Sequence, residues 1–248
     1  MKNKIVAKNY SRTKNTIFNF ITSIGGQFIT ILMQFVVRTI FIETLGKSYL
    51  GISGLFANIL SMLSLAEFGV GNAILFKLYE PISKNNKQRI IVLMNFYKKV
   101  YIFIGIFIAI MGLSIIPFLP IFISDYDKLV SLNINVVVVF ILYLLNTVSS
   151  YLFFAYKSAI IRANQKEYLI NVVNYLFTVG VGIVQIIFLI VFHNFELYVI
   201  TQVVGVIVQN IGYAKVADRM YPFINEKTDE QLSKKEIKEV IKDCSALF

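Results

Sequence analysis

The sequence predicts an all-α polytopic membrane protein built around a bundle of six transmembrane helices. Three observations carry this prediction. The chain of 248 residues is 57% hydrophobic and 15% charged, with a mean hydropathy of +0.70, whereas a soluble domain is roughly a quarter charged. Its charges cluster between apolar runs of about 20 residues or more, the length that spans a hydrocarbon core of ~30 Å at 1.5 Å per helical residue. Strands of ~10 residues alternating in polarity, which a membrane barrel requires, are missing from the sequence. Backbone groups in lipid must therefore be satisfied within helices.

The apolar runs place helices at residues 17–42, 49–78, 97–123, 135–156, 169–192 and 198–217. They divide the chain into a basic terminus (1–16), a six-helix transmembrane lobe (17–217) and a tail (218–248). Pro81 and Pro222 fall just after predicted helices, and Pro117 and Pro120 near the end of one, where few hydrogen bonds are lost. Of the 24 Lys and Arg, all but Arg38, Lys47 and Lys128 fall on one side of this map. The positive-inside rule makes that side cytoplasmic, amino terminus included. The net charge of +10 is then a topology signal and a source of affinity for anionic membrane lipids. No recognition motif accompanies it, so nucleic acid is not an expected partner.

Other classes are excluded by what the sequence lacks. The first apolar run is too long for a signal peptide, contains Gln27 and Gln34, and ends without a small-residue cleavage site. One cysteine, Cys244, rules out an intramolecular disulfide. The single histidine, His193, has no cysteine or carboxylate cluster beside it, so no metal and no cofactor are expected. Phosphate-cradling glycine loops, serine elbows and paired histidines are missing, and the expectation is a protein that is not an enzyme.

Polar residues stand instead where lipid-facing helices have none. At 100° per residue, Ser23, Gln27, Thr30, Gln34 and Arg38 form one stripe on the first helix, opposite Ile24, Phe28, Ile31 and Phe35. The second helix carries Ser53, Ala57, Ser61, Ser64, Glu67 and Gly71 on one face. The fourth offers Asn135, Asn146 and Ser149, the fifth Asn171, Asn174, Thr178, Gly182 and Gln185, and the sixth Gln202, Gly205, Gln209 and Tyr213. Small and amide residues also join helices in any membrane bundle. Five amide-bearing or polar faces exceed what tight packing needs, and a water-filled cavity is expected between them. Candidate cavity residues are Arg38, Gln34, Gln27, Asn171, Asn174 and Gln185.

Two intramembrane charges stand out, because a charge at the bilayer centre costs at least ~2.5 kcal/mol. Arg38 fits either snorkelling to headgroups or, from its place on the glutamine stripe, binding of an anionic group. Glu67 fits either a protonated packing residue or a proton or cation site that couples transport. The two lie roughly 20 Å apart in depth, too far for a direct salt bridge. In the tail, Ser233 and Glu236 make a capping box ahead of the apolar stripe Ile237, Val240, Ile241 and Cys244. That pattern fits a finished surface helix or, the reading preferred here, the start of a seventh span.

The stretch RTIFIETLGKSYLGISGLFANILSMLSLAEFGVGNAILFKLYEP, from Arg38 to Pro81, resembles the first hairpin of the polysaccharide exporters. These belong to the multidrug, oligosaccharidyl-lipid and polysaccharide flippase superfamily. Arg38, Leu45–Gly46, Tyr49–Leu50–Gly51, Leu65 to Gly69, Ala73–Ile74 and Leu78–Tyr79 carry the likeness, with Ala163 to Lys166 fitting farther on. The resemblance implies one lobe, the amino-terminal half, of a two-lobed transporter in a bacterial cytoplasmic membrane. It implies alternating access that moves undecaprenyl-diphosphate-linked sugars outward, with Arg38 in the first-helix region where relatives place a cationic cavity residue. A second lobe or partner chain would then complete the transporter. A drug/cation antiporter of the same superfamily, and a non-transporting scaffold for polysaccharide synthesis, are the competing readings.

Overall fold

The computed structural model describes residues 12–64, 70–123 and 135–246. Glu67 and Asp127 lie outside these residues, as do Leu247, Phe248 and the side chain of Cys244. Every regular element described is helical: α1 (Arg12–Leu45), α2 (Lys47–Ser64), α3 (Val70–Ser83), α4 (Lys87–Ile115), α5 (Val136–Tyr151), α6 (Ser158–Ala163), α7 (Glu167–Phe192), α8 (Phe195–Met220) and α9 (Lys234–Ala246).

Among the described residues, five helical stretches are long and apolar enough to cross a membrane: Asn15–Leu45, Lys87–Phe122, Val136–Ala163, Glu167–Phe192 and Phe195–Met220. They mark a multi-pass membrane protein. The expected span 49–78 is represented by α2 and α3 on either side of residues 65–69, and neither is among the five. With 14 residues, α3 reaches only about 21 Å. The outer surface suits lipid. Phe28 and Phe35 of α1 are 64% and 70% exposed, and Ile106, Ile110, Leu176 and Ile190 are likewise exposed on other helices.

Three boundaries differ from the sequence expectation. The third span begins at Lys87 rather than residue 97, capped by Asn86, whose side chain accepts from the Arg89 N–H. The added turns are apolar and buried from Ile90 to Met94, so the paired Lys98 and Lys99 mark no helix end. The fourth span runs past residue 156 to Ala163 but is not one unbroken α-helix. α5 stops at Tyr151, and Phe153 and Phe154 then take φ of +47° and +71°, rare for bulky side chains. A turn of 3-10 helix, Ala155–Lys157, restarts the chain into α6. Finally, Pro81 sits inside α3, in its last turn, rather than just after the helix. Pro117, Pro120 and Pro222 stand in the terminal turns where they were expected.

Two hydrophobic cores close the two ends of the bundle. One lies where α1 turns into α2 and α7 into α8, and gathers Phe41, Phe56, Ile108, Phe140, Leu189 and Phe195. Gly46 makes the first of those turns with φ of +93°, and its N–H bonds the Ile42 carbonyl at 3.0 Å, a helix end that a Cβ would strain. The other core gathers Ile74, Leu78, Met94, Ile160, Ile161 and Ala217 with Val240 of α9. This second end carries Lys84, Arg89, Lys157, Arg162, Lys166 and Arg219, and is called the basic end below.

The expected capping box forms: the Ser233 N–H donates to Glu236 Oε2 at 2.7 Å, and the Glu236 N–H to Ser233 Oγ at 3.3 Å. α9 packs on α3 and is pinned by an Arg89–Glu236 ion pair and by Lys77–Glu239 at 3.9 Å. As far as it is described, the tail is a helix docked on the basic end.

Candidate functional site

Between the two cores the helices do not close on one another. A cavity of about 1040 Å³ opens there, at the upper end of the ~300–1,000 Å³ usual for small-molecule sites. Its wall is drawn from α1, α2, α5, α7 and α8, and combines amides, hydroxyls, aromatic rings and one cation.

Local structure explains why the amides, more than the hydroxyls, define its chemistry. In an apolar helix a serine or threonine satisfies itself by donating back one turn. Ser53 does so to the Tyr49 carbonyl (2.9 Å), Ser64 to Leu60 (3.0 Å) and Thr147 to Tyr143 (3.2 Å). Glutamine and asparagine carry both donor and acceptor on a longer stem and cannot all be satisfied this way. Gln34, Asn146, Gln185, Gln202 and Gln209 all reach the cavity wall. Asn146 Oδ1 is buried there with no hydrogen-bond partner among the described residues. Left dry, such an acceptor costs about 1–3 kcal/mol, so that wall suits a hydroxyl or water.

Arg38 is the cation of this wall. It stands on α1 one turn beyond Gln34, near the aromatic core of Phe41, Phe195 and Tyr198, whose rings lie 4.8–5.7 Å from Phe41. Among the described residues no carboxylate pairs with it and no hydrogen bond engages its guanidinium. Lys157 is treated differently. Its side chain is 7% exposed, and Nζ reaches Asp218 at 2.6 and 2.8 Å and Asn225 Oδ1 at 2.9 Å.

The expected site residues separate into two groups. Gln34, Arg38 and Gln185 line the cavity, and Gln185 also donates to the Tyr198 carbonyl at 3.4 Å. Gln27, Asn171 and Asn174 do not line it. Gln27 is exposed on α1. Asn171 donates to Ser23 Oγ at 3.0 Å, and Asn174 accepts from Gln209, so both asparagines join helices. The same seam holds Asn19, which donates to the Gln165 carbonyl at 3.1 Å and accepts from the Tyr168 N–H at 2.7 Å. A Cβ on Gly26 would meet the Tyr175 ring, so glycine lets α1 approach α7 closely here. Glu67 lies outside the described residues.

Sequence reasoning missed Tyr143, Tyr151 and Tyr198 as wall residues. Their signal was faint, since a tyrosine in an apolar run reads as core. The described residues hold no group of three or more His, Cys, Asp or Glu able to bind a metal.

Fold and site together define a multi-pass α-helical membrane protein with a polar cavity inside an apolar bundle. Comparison with protein-family models, with curated proteins and with solved structures finds no match for this chain. The functional reading accordingly rests on the residues themselves.

Proposed function

We propose that this chain is one lobe of a membrane exporter that moves a lipid-linked saccharide across the bilayer by alternating access. In this reading the bundle has six membrane-crossing helices, with α2 and α3 belonging to the second, and the basic end faces the cytoplasm. The observation that carries the proposal is the cavity wall: amides and tyrosines in number, with a single unengaged arginine. Amides both donate and accept, as sugar hydroxyls require, and aromatic faces suit the apolar faces of a sugar ring. A guanidinium presents a two-pronged donor array to phosphate oxygens, so Arg38 suits the diphosphate of an isoprenoid carrier. A second lobe, or a partner chain, supplies the opposing wall against which this lobe moves.

The test uses the full-length chain in cells that depend on it for saccharide export. Arg38→Ala abolishes export with unchanged abundance in the membrane, and Arg38→Lys restores it only in part, because lysine keeps the charge and loses the fork. Full export by a Gln34→Leu, Arg38→Leu double variant would turn the assignment towards a scaffold. Loss of drug resistance without accumulation of lipid-linked saccharide would turn it towards a drug/cation antiporter.

A further inference from the structure

A second polar cavity, of about 390 Å³, lies at the basic end against the first. Ser64 lines both. At their boundary Gln209 of the large cavity donates to the Tyr213 hydroxyl of the small one at 2.8 Å, and the rings of Tyr151 and Tyr101 stand 5.9 Å apart. The small cavity has its own cation, Arg162 of α6, together with the hydroxyls of Tyr97, Tyr101, Tyr213 and Ser158 and the amide of Asn72.

The chemistry of this wall differs from that of the large cavity. Here hydroxyls predominate, and two of them are already aligned: Tyr97 donates to Tyr101 at 2.8 Å, their rings packed edge to face. No hydrogen bond engages the Arg162 guanidinium among the described residues. Among the described residues the carboxylate that pairs with it is Glu167, whose Oε1 stands 3.8 Å from Nε, with both side chains about half exposed. A pair so long and so exposed contributes little, too little to hold the guanidinium against a phosphate bound through two charge-assisted hydrogen bonds. Arg89 and Lys157 at the same end are by contrast in close ion pairs with Glu236 and Asp218.

We infer that the small cavity is a separate binding site for a phosphate or diphosphate anion, with Arg162 as its principal ligand and the Tyr213 hydroxyl, which accepts from Gln209 and keeps its own proton, as a supporting donor. This rests on the export reading in one respect: it makes the site a loading position for the carrier's phosphates at the basic end, one compartment away from Arg38.

The experiment titrates the full chain, in nanodiscs of a zwitterionic phospholipid, with farnesyl diphosphate and separately with inorganic diphosphate, followed by calorimetry. Wild type shows two anion sites. Arg162→Ala removes one of them, and Arg162→Lys weakens that one about tenfold, since the fork is lost and the charge kept. Glu167→Gln tightens it severalfold by removing the carboxylate that stands 3.8 Å from Arg162 Nε, which a purely structural Arg162 would not do. Melting temperature confirms folding, and Tyr213→Phe, which removes only a hydroxyl, weakens the same site if Arg162→Ala fails to fold. Equal affinity for both probes assigns the site to the anion itself, and tighter farnesyl diphosphate assigns it to a lipid head group; either supports the inference. If Arg38→Ala removes a site while Arg162→Ala and Tyr213→Phe change nothing, this inference is wrong and the export reading stands. Diphosphate binding indifferent to Arg38 and Arg162 alike would sink both.

Discussion

Lys157 and Arg38 are both cations set within an apolar bundle, and their surroundings differ in kind. Lys157 meets a carboxylate and an amide oxygen, with the Phe154 ring 5.5 Å away. The two polar contacts tie the turn after α5 to the end of α8 and to the segment beyond it. Arg38 faces a cavity of amides and rings, and no described carboxylate neutralises it. A charge removed from water is stable when matched within the fold, as at Lys157, or when its site admits water or an anion, as the wall around Arg38 does. The contrast separates a charge held by the fold from a charge left to face a cavity.

The largest effect should come from breaking the held charge. Asp218→Ala leaves Lys157 buried and unmatched, and should destabilise the protein by about 3 kcal/mol. Lys157→Met leaves only a carboxylate that is already 36% exposed, and should cost clearly less. Thermal unfolding in detergent ranks the two. Equal losses would show that Lys157 is held by packing rather than by its charge.

A smaller effect lies farther out on the same end. The Ser233 backbone N–H, then its hydroxyl, then Arg89 hold the Glu236 carboxyl below its ordinary range of 4.5. A lowered folded value means the carboxylate supports α9 fully above the ordinary value, and that support is lost as pH falls through the lowered one. Hydrogen exchange should therefore show α9 loosening in acid before the helices of the bundle do. Ser233→Ala should cost about 1 kcal/mol locally and move this loosening towards neutral pH. Exchange in α9 that stays independent of pH would remove the electrostatic account of its docking.

Periodicity made most of the wall legible in the sequence. One stripe per helix placed Gln34 and Arg38 on α1 and Gln185 on α7, and the same stripes held Gln202 and Gln209 of α8. It could not separate wall from seam. Asn171 and Asn174 share a helix face with Gln185, yet they stand opposite Ser23 and Gln209, and only the height along α7 distinguishes a residue that meets another helix from one that meets the cavity. The break after Tyr151 was illegible for a different reason. The run Leu152–Phe153–Phe154–Ala155 is as apolar as a helix, and hydropathy carries no record of φ. The useful hint was Lys157, a cation just past an apolar run that needed a carboxylate, with Asp218 placed at the matching end of the last span.

The central claim is that a water-accessible polar cavity runs inside an apolar bundle, and cysteine accessibility tests it most directly. With Cys244 replaced by serine, single cysteines at Gln34, Gln202, Phe28 and Ile190 are challenged with a small, charged thiol reagent in native membranes. The account predicts fast modification at Gln34 and Gln202, slowed by a lipid-linked saccharide diphosphate, and none at Phe28 or Ile190, which are exposed on the outer face. Protection of all four positions, or equal modification of all four, would contradict it.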